Sequence, residues 1–271
     1  MAKRIQSPSS INTYKQCPRK YYYSYIQNLP TKENIHTIRG KLTHTVLEKF
    51  FGLDIRHIDE KKYKEEMVFY LKNLFNAMWT KEKPKMTDIG FTEDEITSYK
   101  NETAFMLSNW ISSFFTKLDK EILNMPLNQA FNKIKPAEME KEYIDEEESV
   151  RGFIDFVQIE DGLITLMDYK TSKAKDELTP EYKLQLAIYA LLYEKHHKKR
   201  PHKVGIWFLK DKEVIVDVDE HLLNHALEEI KNMHTNTITN DIENYPRNRC
   251  PLCKWSTGQC DFYDYCVNDK R

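Results

Sequence analysis

The sequence predicts an α/β fold in which a mixed sheet is flanked by helices. The first observation is a pair of apolar, β-rich segments on either side of Asp161-Gly162, because an Asp-Gly pair between such segments is a strong hairpin signal. The second is an apolar helix predicted from residue 180 to about residue 196, and the third is another hairpin, with strands at residues 204–209 and 214–218. Strands joined through one long helix are typical of a mixed sheet.

The other elements are predicted from caps and apolar spacing. Ser7 followed by Pro8 marks a helix start, and Asp219 can cap a last helix that runs to about residue 233. Pro84 and Pro126 mark breaks in a helical region. Further helices are predicted at residues 40–51, 61–83 and 93–123, and a strand at residues 137–143.

These elements predict one domain over residues 1–271. Residues 30–130 form a helical elaboration that walls a cleft, residues 137–235 form the core, and residues 240–271 form a cysteine-rich tail. The chain is long enough for a full hydrophobic core. It lacks an apolar run of membrane-spanning length, and its first residues lack the apolar segment of a signal peptide, so we expect a cytosolic protein with no membrane segment.

The charge balance limits how the chain can bind a polyanion. A formal net charge of -1 argues against wholesale coating of nucleic acid, so any such contact requires a local basic surface. Two candidate surfaces are residues 195–203 and a set near the start of the chain, and each is also consistent with an ordinary solvated face. The second set consists of Arg4, Lys15, Arg19 and Lys20.

The first hairpin brings two carboxylates together. With a two-residue turn, Glu160 lies opposite Leu163, and the same register places Asp155 opposite Asp168. Like charges in opposed positions are destabilising, and a divalent cation is the simplest group that offsets the repulsion. Lys170 lies two residues beyond Asp168, so strand alternation places it on the same face, about 6.6 Å further along.

These residues carry a resemblance to a known family. Gly-Phe-Ile-Asp155, a hairpin, Asp168-Tyr-Lys170 and then Gln185-x3-Tyr189 resemble the PD-(D/E)xK nuclease core. More closely they resemble the RecB-like exonucleases, the group that includes the AddB nuclease domain and the CRISPR-associated RecB-like exonuclease. The resemblance implies a restriction-endonuclease-like core with an N-terminal helical insertion and a C-terminal cluster-binding tail. It also implies that Asp155, Asp168, Lys170, Gln185 and Tyr189 are the catalytic residues.

His44 lies at the border of the apolar face of its predicted helix, where a histidine is usually a structural residue. Its context, Gly40-x3-His44, is similar to a motif of the same family in which the histidine binds metal. The resemblance therefore implies a site for Mn2+ or Mg2+ made by His44, Asp155, Asp168 and the Tyr169 carbonyl. Oxygen ligands suit both ions, and an imidazole shifts the preference toward Mn2+.

Three glutamates of the strand predicted at residues 137–143 share one face if that strand is fully extended: Glu138, Glu140 and Glu142. One of them could add a carboxylate to the metal site. A solvated strand face is the favoured interpretation.

The cysteines are unevenly distributed, with one near the start and four near the end. In a cytosolic chain this pattern predicts metal binding before disulfides. The resemblance implies a 4Fe-4S cluster held by Cys17, Cys250, Cys253 and Cys260, with Cys266 left over. The rival is a zinc site made by the four C-terminal cysteines, with Cys17 as a small buried residue.

The resemblance implies a metal-dependent exonuclease that hydrolyses DNA phosphodiester bonds. Its substrate would be single-stranded DNA or DNA ends, in repair, recombination or CRISPR spacer processing, together with partner proteins of a repair or CRISPR adaptation complex. The alternative is a non-catalytic nucleic-acid-binding module with a structural zinc, in which the hairpin charges are incidental. Metal-dependent loss of labelled DNA separates these two hypotheses.

Overall fold

A mixed sheet is the centre of the fold, as the sequence predicts. The computed structural model describes residues 3–255 and 258–268. Parts of the predicted domain and tail, at residues 1–2, 256–257 and 269–271, therefore lie outside the described residues. Among the described helices, none combines the length and the apolar character needed to cross a bilayer.

The helices of the first half of the chain precede the sheet. Their bounds are α1 Pro8–Gln16, α2 Pro18–Tyr21 with a π-helical turn Tyr22–Ile26, α3 Ile35–Phe50, α4 Tyr63–Asp88, α5 Glu93–Ile122 and α6 Leu127–Ile134. Ser7 caps α1 as predicted, because its side chain accepts a hydrogen bond from the Ser10 amide. A short 3-10 turn, Ile55–His57, lies between α3 and α4.

The second half of the chain contains the strands and the crossover helix. The bounds are β1 Glu138–Asp145, β2 Val150–Glu160, β3 Leu163–Lys170, α7 Pro180–His197, β4 Lys203–Phe208, β5 Glu213–Asp217, α8 Glu220–Asn236, β6 Lys254–Trp255, β7 Gly258–Gln259 and α9 Tyr263–Asn268, with a 3-10 turn at Ile242–Asn244. Within the described residues, β1 to β5 form a five-stranded sheet in chain order. Only the β3–β4 pair in that sheet is parallel, which α7 makes possible by crossing between them.

The β2–β3 hairpin has the predicted turn and register. Asp161 and Gly162 have φ values of 49° and 83°, the positive values that a two-residue hairpin turn requires. Pairing runs from Glu160 and Leu163 to Phe156 and Met167. The hairpin between β4 and β5 and the Asp219 cap of α8 are also confirmed.

The sheet separates two apolar cores. Leu166 and Ile206 belong to the core that also contains residues of α1, α7 and α8. Met167, Tyr169 and Trp207 belong to the other core, which contains residues of α3, α4, α5 and α6. The helical elaboration therefore packs against the sheet itself, so the position of β3 depends on it.

Some helix predictions are wrong in detail. The helix predicted at residues 40–51 begins earlier, because Asn34 caps it by accepting a hydrogen bond from the Thr37 amide at 3.0 Å. Pro84 lies inside α4 instead of ending it. The carbonyl that proline leaves unpaired belongs to Thr80, an exposed residue whose carbonyl water can satisfy. Helix α6 was not predicted.

Candidate active site

The β2–β3 ladder stops one position before the two aspartates. Asp155 and Asp168 do not pair as the predicted register requires, because pairing ends at Phe156 and Met167. Instead, Asp155 Oδ2 accepts a hydrogen bond from the Tyr169 backbone N–H at 2.6 Å. Asp155 and Asp168 are 6% and 2% exposed, so the repulsion between their carboxylates is poorly screened.

Asp168 is held by residues of α7 and by its own strand. Gln185 Nε2 donates to Asp168 Oδ1 at 2.7 Å, and the Tyr189 hydroxyl donates to the same oxygen at 3.4 Å. The other oxygen lies 2.6 Å from Lys170 Nζ. The structure thus brings four of the five predicted catalytic residues together around one carboxylate, and Asp155 lies beside Tyr169.

His44 connects α3 to both strands of the hairpin. Its Nε2 lies 3.1 Å from the Tyr169 carbonyl oxygen, and its Nδ1 lies 3.3 Å from Asp155 Oδ2 and 3.4 Å from Glu140 Oε1. A neutral imidazole has one donor, whereas three acceptors surround this ring. The arrangement therefore favours a protonated His44 when no cation is bound.

Glu140 lies in the site, although the sequence favours a solvated position for it. The β1–β2 ladder pairs Met139 with Phe156 and Lys141 with Ile154, but it leaves Glu140 and Asp155 unpaired. Glu140 has a φ of 46°, which is uncommon for a glutamate and breaks the alternation of the strand. Neither of the other two glutamates reaches His44: Glu138 accepts from the Tyr143 hydroxyl, and Glu142 pairs with Arg151. The expected solvated face is therefore wrong for Glu140.

The charges of the site shift the pKa values of its groups. Burial raises the pKa of Asp155 to about 6, and the Asp168 charge adds to this shift while His44 opposes it. Burial alone would lower the pKa of His44, but hydrogen bonds to Asp155 and Glu140 outweigh it and raise that pKa to about 10. Burial would likewise lower the pKa of Lys170, but the Asp168 charge raises it. Lys170 is therefore cationic at neutral pH.

The donor set fits a divalent cation. Ligand atoms of His44, Glu140 and Asp155 all lie within 4.8 Å of one another, and the Tyr169 carbonyl lies beside the same imidazole. Two carboxylates, a carbonyl and one imidazole are donors that Mn2+ accepts and that Mg2+ accepts in part. The structure thus assembles two of the four predicted ligands, His44 and Asp155, and adds Glu140. The Tyr169 carbonyl lies at the other ring nitrogen of His44, Nε2, and Asp168 contacts Lys170 and α7.

Close packing behind the site fixes its geometry. Trp110 Nε1 of α5 donates to the Tyr169 hydroxyl at 3.1 Å, so the helical elaboration holds the strand that carries the Tyr169 carbonyl. On the other face, a Cβ at Gly152 would lie 3.0 Å from the Tyr189 ring and 3.1 Å from Leu192. The glycine of the Gly-Phe-Ile-Asp segment therefore permits α7 to approach β2 closely.

The cysteines lie away from the aspartates, in a cleft between the N-terminal helices and the tail. That cleft is open to solvent and is lined by all five of them: Cys17, Cys250, Cys253, Cys260 and Cys266. None forms a disulfide. Burial raises the pKa of both Cys260 and Cys266. Cys266, which the predicted cluster leaves over, is therefore positioned with the other four.

The two basic stretches identified in the sequence are largely engaged within the chain. Lys195 contacts three carboxylates at 3.2 to 3.4 Å, and Arg200 contacts Glu194 and Glu220. Near the start, Lys15 pairs with Glu229, and buried Arg19 donates to the Tyr245 carbonyl. These contacts favour a structural interpretation of the residues concerned.

A known protein family covers nearly the whole chain. The family model described as the PD-(D/E)XK nuclease superfamily matches residues 6–266. The chain belongs to the PD-(D/E)XK nuclease superfamily. The superfamily-level resemblance is thereby confirmed, and the mixed sheet between helical layers is the PD-(D/E)XK core. The RecB-like subgroup and the roles of individual residues stay predictions.

Two further known proteins are similar to this chain, one in sequence and one in fold. One component of an ATP-dependent helicase/nuclease from Oenococcus oeni is 31% identical over 160 residues, which are 57% of this chain and 12% of that protein. The chain thus spans only a small part of that relative. The crystal structure of a protein from Eubacterium rectale assigned as an exonuclease has a TM-score of 0.52 and 11% identity, and the match covers 98% of this chain and 94% of that one. At this identity the likeness concerns the fold.

Proposed function

We propose that this protein is a metal-dependent DNA exonuclease. The observation that carries the proposal is the convergence of His44, Glu140 and Asp155 within 4.8 Å beside the Lys170–Asp168 pair. Carboxylates with an imidazole can hold Mn2+ or Mg2+, and an adjacent lysine can stabilise a phosphate that gains charge. Membership of a nuclease superfamily supports a phosphodiester as the bond that is broken.

Each site residue has a role in this proposal. His44, Glu140, Asp155 and the Tyr169 carbonyl would hold the metal, and Asp168 would join them if Lys170 moved to the substrate. When bound, such an ion would supply Lewis acidity to the phosphate and would lower the pKa of a water. Lys170 orients the attacking water and stabilises the negative charge that develops on the phosphorus oxygens.

Gln185 and Tyr189 keep Asp168 in position. Gln185 Nε2 donates to Asp168 Oδ1 and to the Tyr189 hydroxyl, both at 2.7 Å. Burial raises the pKa of Tyr189 well above its ordinary value, so its hydroxyl remains a donor at neutral pH. These two α7 residues therefore fix one oxygen of Asp168 and leave the other for Lys170 or the metal.

We further propose single-stranded DNA or DNA ends as the substrate, in repair, recombination or CRISPR spacer processing. The Oenococcus oeni relative is described as one component of a helicase/nuclease, which supports action together with partner proteins. A cytosolic location stays a prediction from the sequence.

The test is release of labelled nucleotides from end-labelled DNA in Mn2+, in Mg2+ and in a chelator. Lys170→Ala and Asp168→Ala should each lower the rate by at least about a hundredfold, since the first removes a charge-stabilising group and the second removes the carboxylate that holds Lys170, while their circular dichroism stays unchanged. The matched control is Lys133→Ala, because Lys133 pairs with Glu121 on the surface of α6. DNA binding without metal-dependent hydrolysis in the wild-type protein would establish the non-catalytic module instead.

The cysteine cleft is proposed to hold a 4Fe-4S cluster through Cys17, Cys250, Cys253 and Cys260. Five thiols in one cleft fit a thiolate-bound cluster, and Lys20, on the same cleft, offsets negative charge. Because Cys17 and the other ligands come from opposite ends of the chain, a shared cluster would restrict the unfolded chain as a long-loop disulfide does. The cluster would act as a structural clamp with no part in hydrolysis.

Anaerobic purification with a visible spectrum and a metal count tests the cluster. Cys17→Ser should remove the brown colour and the iron, lower the melting temperature and reduce cleavage indirectly, whereas Cys266→Ser should do none of these. A colourless protein with one zinc per chain, lost in Cys266→Ser and kept in Cys17→Ser, would establish the zinc site instead.

A further inference from the structure

A line of residues on α3 leads away from the metal site. His36, Gly40 and His44 are spaced by four residues, so they lie along one face of the helix. At about 1.5 Å per residue, Gly40 lies about 6 Å and His36 about 12 Å from His44 along the axis. His36 is exposed. The face of α3 that carries these three residues therefore extends from the metal site to solvent.

Gly40 leaves an open space on that line. A Cβ built at Gly40 has no heavy atom within 4 Å, and its φ is not positive. Glycine destabilises a helix interior relative to alanine, and here neither the backbone conformation nor neighbouring atoms of the described residues require it. A bound molecule that lies against the helix backbone would require a glycine at this position, because it would occupy the space of a Cβ.

Two cations converge on one carboxylate beside α3. Arg39 and Lys210 both form ion pairs with Glu102 of α5, so one carboxylate faces two positive charges. The side chains of Arg39 and Lys210 are 4% and 14% exposed, and Arg39 Nε has no hydrogen-bond partner among the described residues. Lys210 follows Leu209, whose amide donates to the Lys170 carbonyl at 3.0 Å. The excess positive charge therefore lies next to the end of β3 that carries Lys170.

An exposed aromatic side chain lies one turn along α5 from the carboxylate that binds the two cations. Phe105 follows Glu102 by one turn of α5 and is 56% exposed. Asn109, one turn further, donates to the Leu209 carbonyl at 3.1 Å, which fixes this part of α5 against the end of β4. A single exposed phenylalanine is ordinary on its own. Beside a cationic group and an open helix face it is a platform on which a nucleic-acid base can stack.

We propose that Gly40, Phe105 and Lys210, with Arg39 behind Lys210, form a binding surface for a single strand of DNA that leads into the metal site. The inference rests on the proposed function and names the form of its substrate. The strand backbone lies over Gly40, Lys210 contacts a phosphate, and an unpaired base stacks on Phe105. Bases in a duplex are paired and stacked on each other, so this surface prefers single strands.

The first test is equilibrium binding in a chelator, where no hydrolysis occurs, with a fluorescent single-stranded oligothymidylate and a blunt duplex as probes. Phe105→Ala should weaken single-strand binding about tenfold, because stacking on an aromatic ring is lost, and should leave duplex binding unchanged. The matched control is Phe69→Ala on α4, since Phe69 is 67% exposed and outside this surface. Equal single-strand binding by both variants and the wild type would refute the stacking contact.

A second pair of variants tests the backbone contacts. Gly40→Ala should keep or raise the melting temperature, because alanine favours the helix, while it weakens single-strand binding severalfold. Lys210→Ala should reduce the slope of log binding constant against log salt by about 0.7, the value for one phosphate contact on a single strand. If Gly40→Ala binds as the wild type does and the salt slope is unchanged in Lys210→Ala, the surface does not carry the strand.

The two proposals fail in different ways. If these variants lose single-strand binding and the wild type does not hydrolyse DNA in Mn2+, the binding surface is supported and the exonuclease proposal is refuted. If the wild type hydrolyses DNA and the variants bind as it does, the exonuclease proposal is supported and the binding surface is refuted.

Discussion

The substitution Asp155→Asn should stabilise the metal-free protein while it destroys the metal site. Asparagine keeps an oxygen that can accept the Tyr169 N–H, so the hydrogen bond at 2.6 Å can persist. It removes a charge that is buried and faces Asp168. Without a cation, that charge opposes folding at neutral pH.

The magnitude follows from the pKa of Asp155. Burial raises it from 3.8 to about 6, so the folded protein holds this proton more tightly than the unfolded chain does. Stability is therefore lost as the pH rises through this range. Linkage gives a cost of about 1.5 kcal/mol at about pH 5 and about 3 kcal/mol at about pH 8. Asp155→Asn should be more stable than the wild type by these amounts, and the difference should grow with pH.

Urea denaturation in a chelator, followed by tryptophan fluorescence, measures this difference. The matched control is Glu142→Gln, because Glu142 makes a partly exposed pair with Arg151 at 3.3 Å, and it should change the free energy of unfolding by less than about 0.5 kcal/mol. Saturating Mn2+, at about a hundred times its Kd, should stabilise the wild type by about 2.7 kcal/mol and should not stabilise Asp155→Asn. Lower stability of Asp155→Asn at about pH 8 in the chelator would refute the reasoning.

The protonation of His44, the set of metal ligands and the packing at Gly152 can each be tested separately. His44 has a raised pKa of about 10 in the metal-free protein, so Mn2+ must displace its proton. The apparent affinity for Mn2+ should therefore rise between about pH 7 and about pH 10, and calorimetry should show proton release on binding. An affinity that does not change with pH would contradict this. His44→Ala and Glu140→Gln should each raise the Mn2+ concentration that half-maximal cleavage requires, and an unchanged titration would remove the altered residue from the ligand set. Gly152→Ala should lower the free energy of unfolding by about 1 to 3 kcal/mol through overpacking against Tyr189. It should also slow cleavage at temperatures where the variant is still folded. Normal cleavage at such a temperature would contradict the positioning role of Tyr189.

Much of the fold could be predicted because local chemistry determines it. Asp161-Gly162 fixes the hairpin register through its turn, and that register places Asp168 and Lys170 on one face. Ser7 and Asp219 are caps whose side chains bond the first amides of their helices. Each of these features depends on residues close in the sequence, so a single amino-acid sequence is enough to predict them.

The parts that could not be predicted depend on contacts between distant residues. Glu140 lies opposite Asp155 in the β1–β2 ladder and has a φ of 46°, and no sequence signal marks a glutamate that adopts this conformation. The ladder stops before Asp155 because the Tyr169 amide bonds a side chain, which alternation cannot anticipate. Pro84 is tolerated inside α4 because the carbonyl it leaves unpaired belongs to Thr80, an exposed residue. These outcomes are decided by the assembled core and by solvent exposure.

The position of Mn2+ in crystals grown with the ion would show directly which residues hold the metal. An anomalous difference map, recorded at the manganese absorption edge, should show a peak bounded by His44, Glu140, Asp155 and the Tyr169 carbonyl, and the peak should be absent from crystals of Asp155→Asn. A single strong peak elsewhere in the protein, with DNA hydrolysis that persists in Asp155→Asn, would contradict the account.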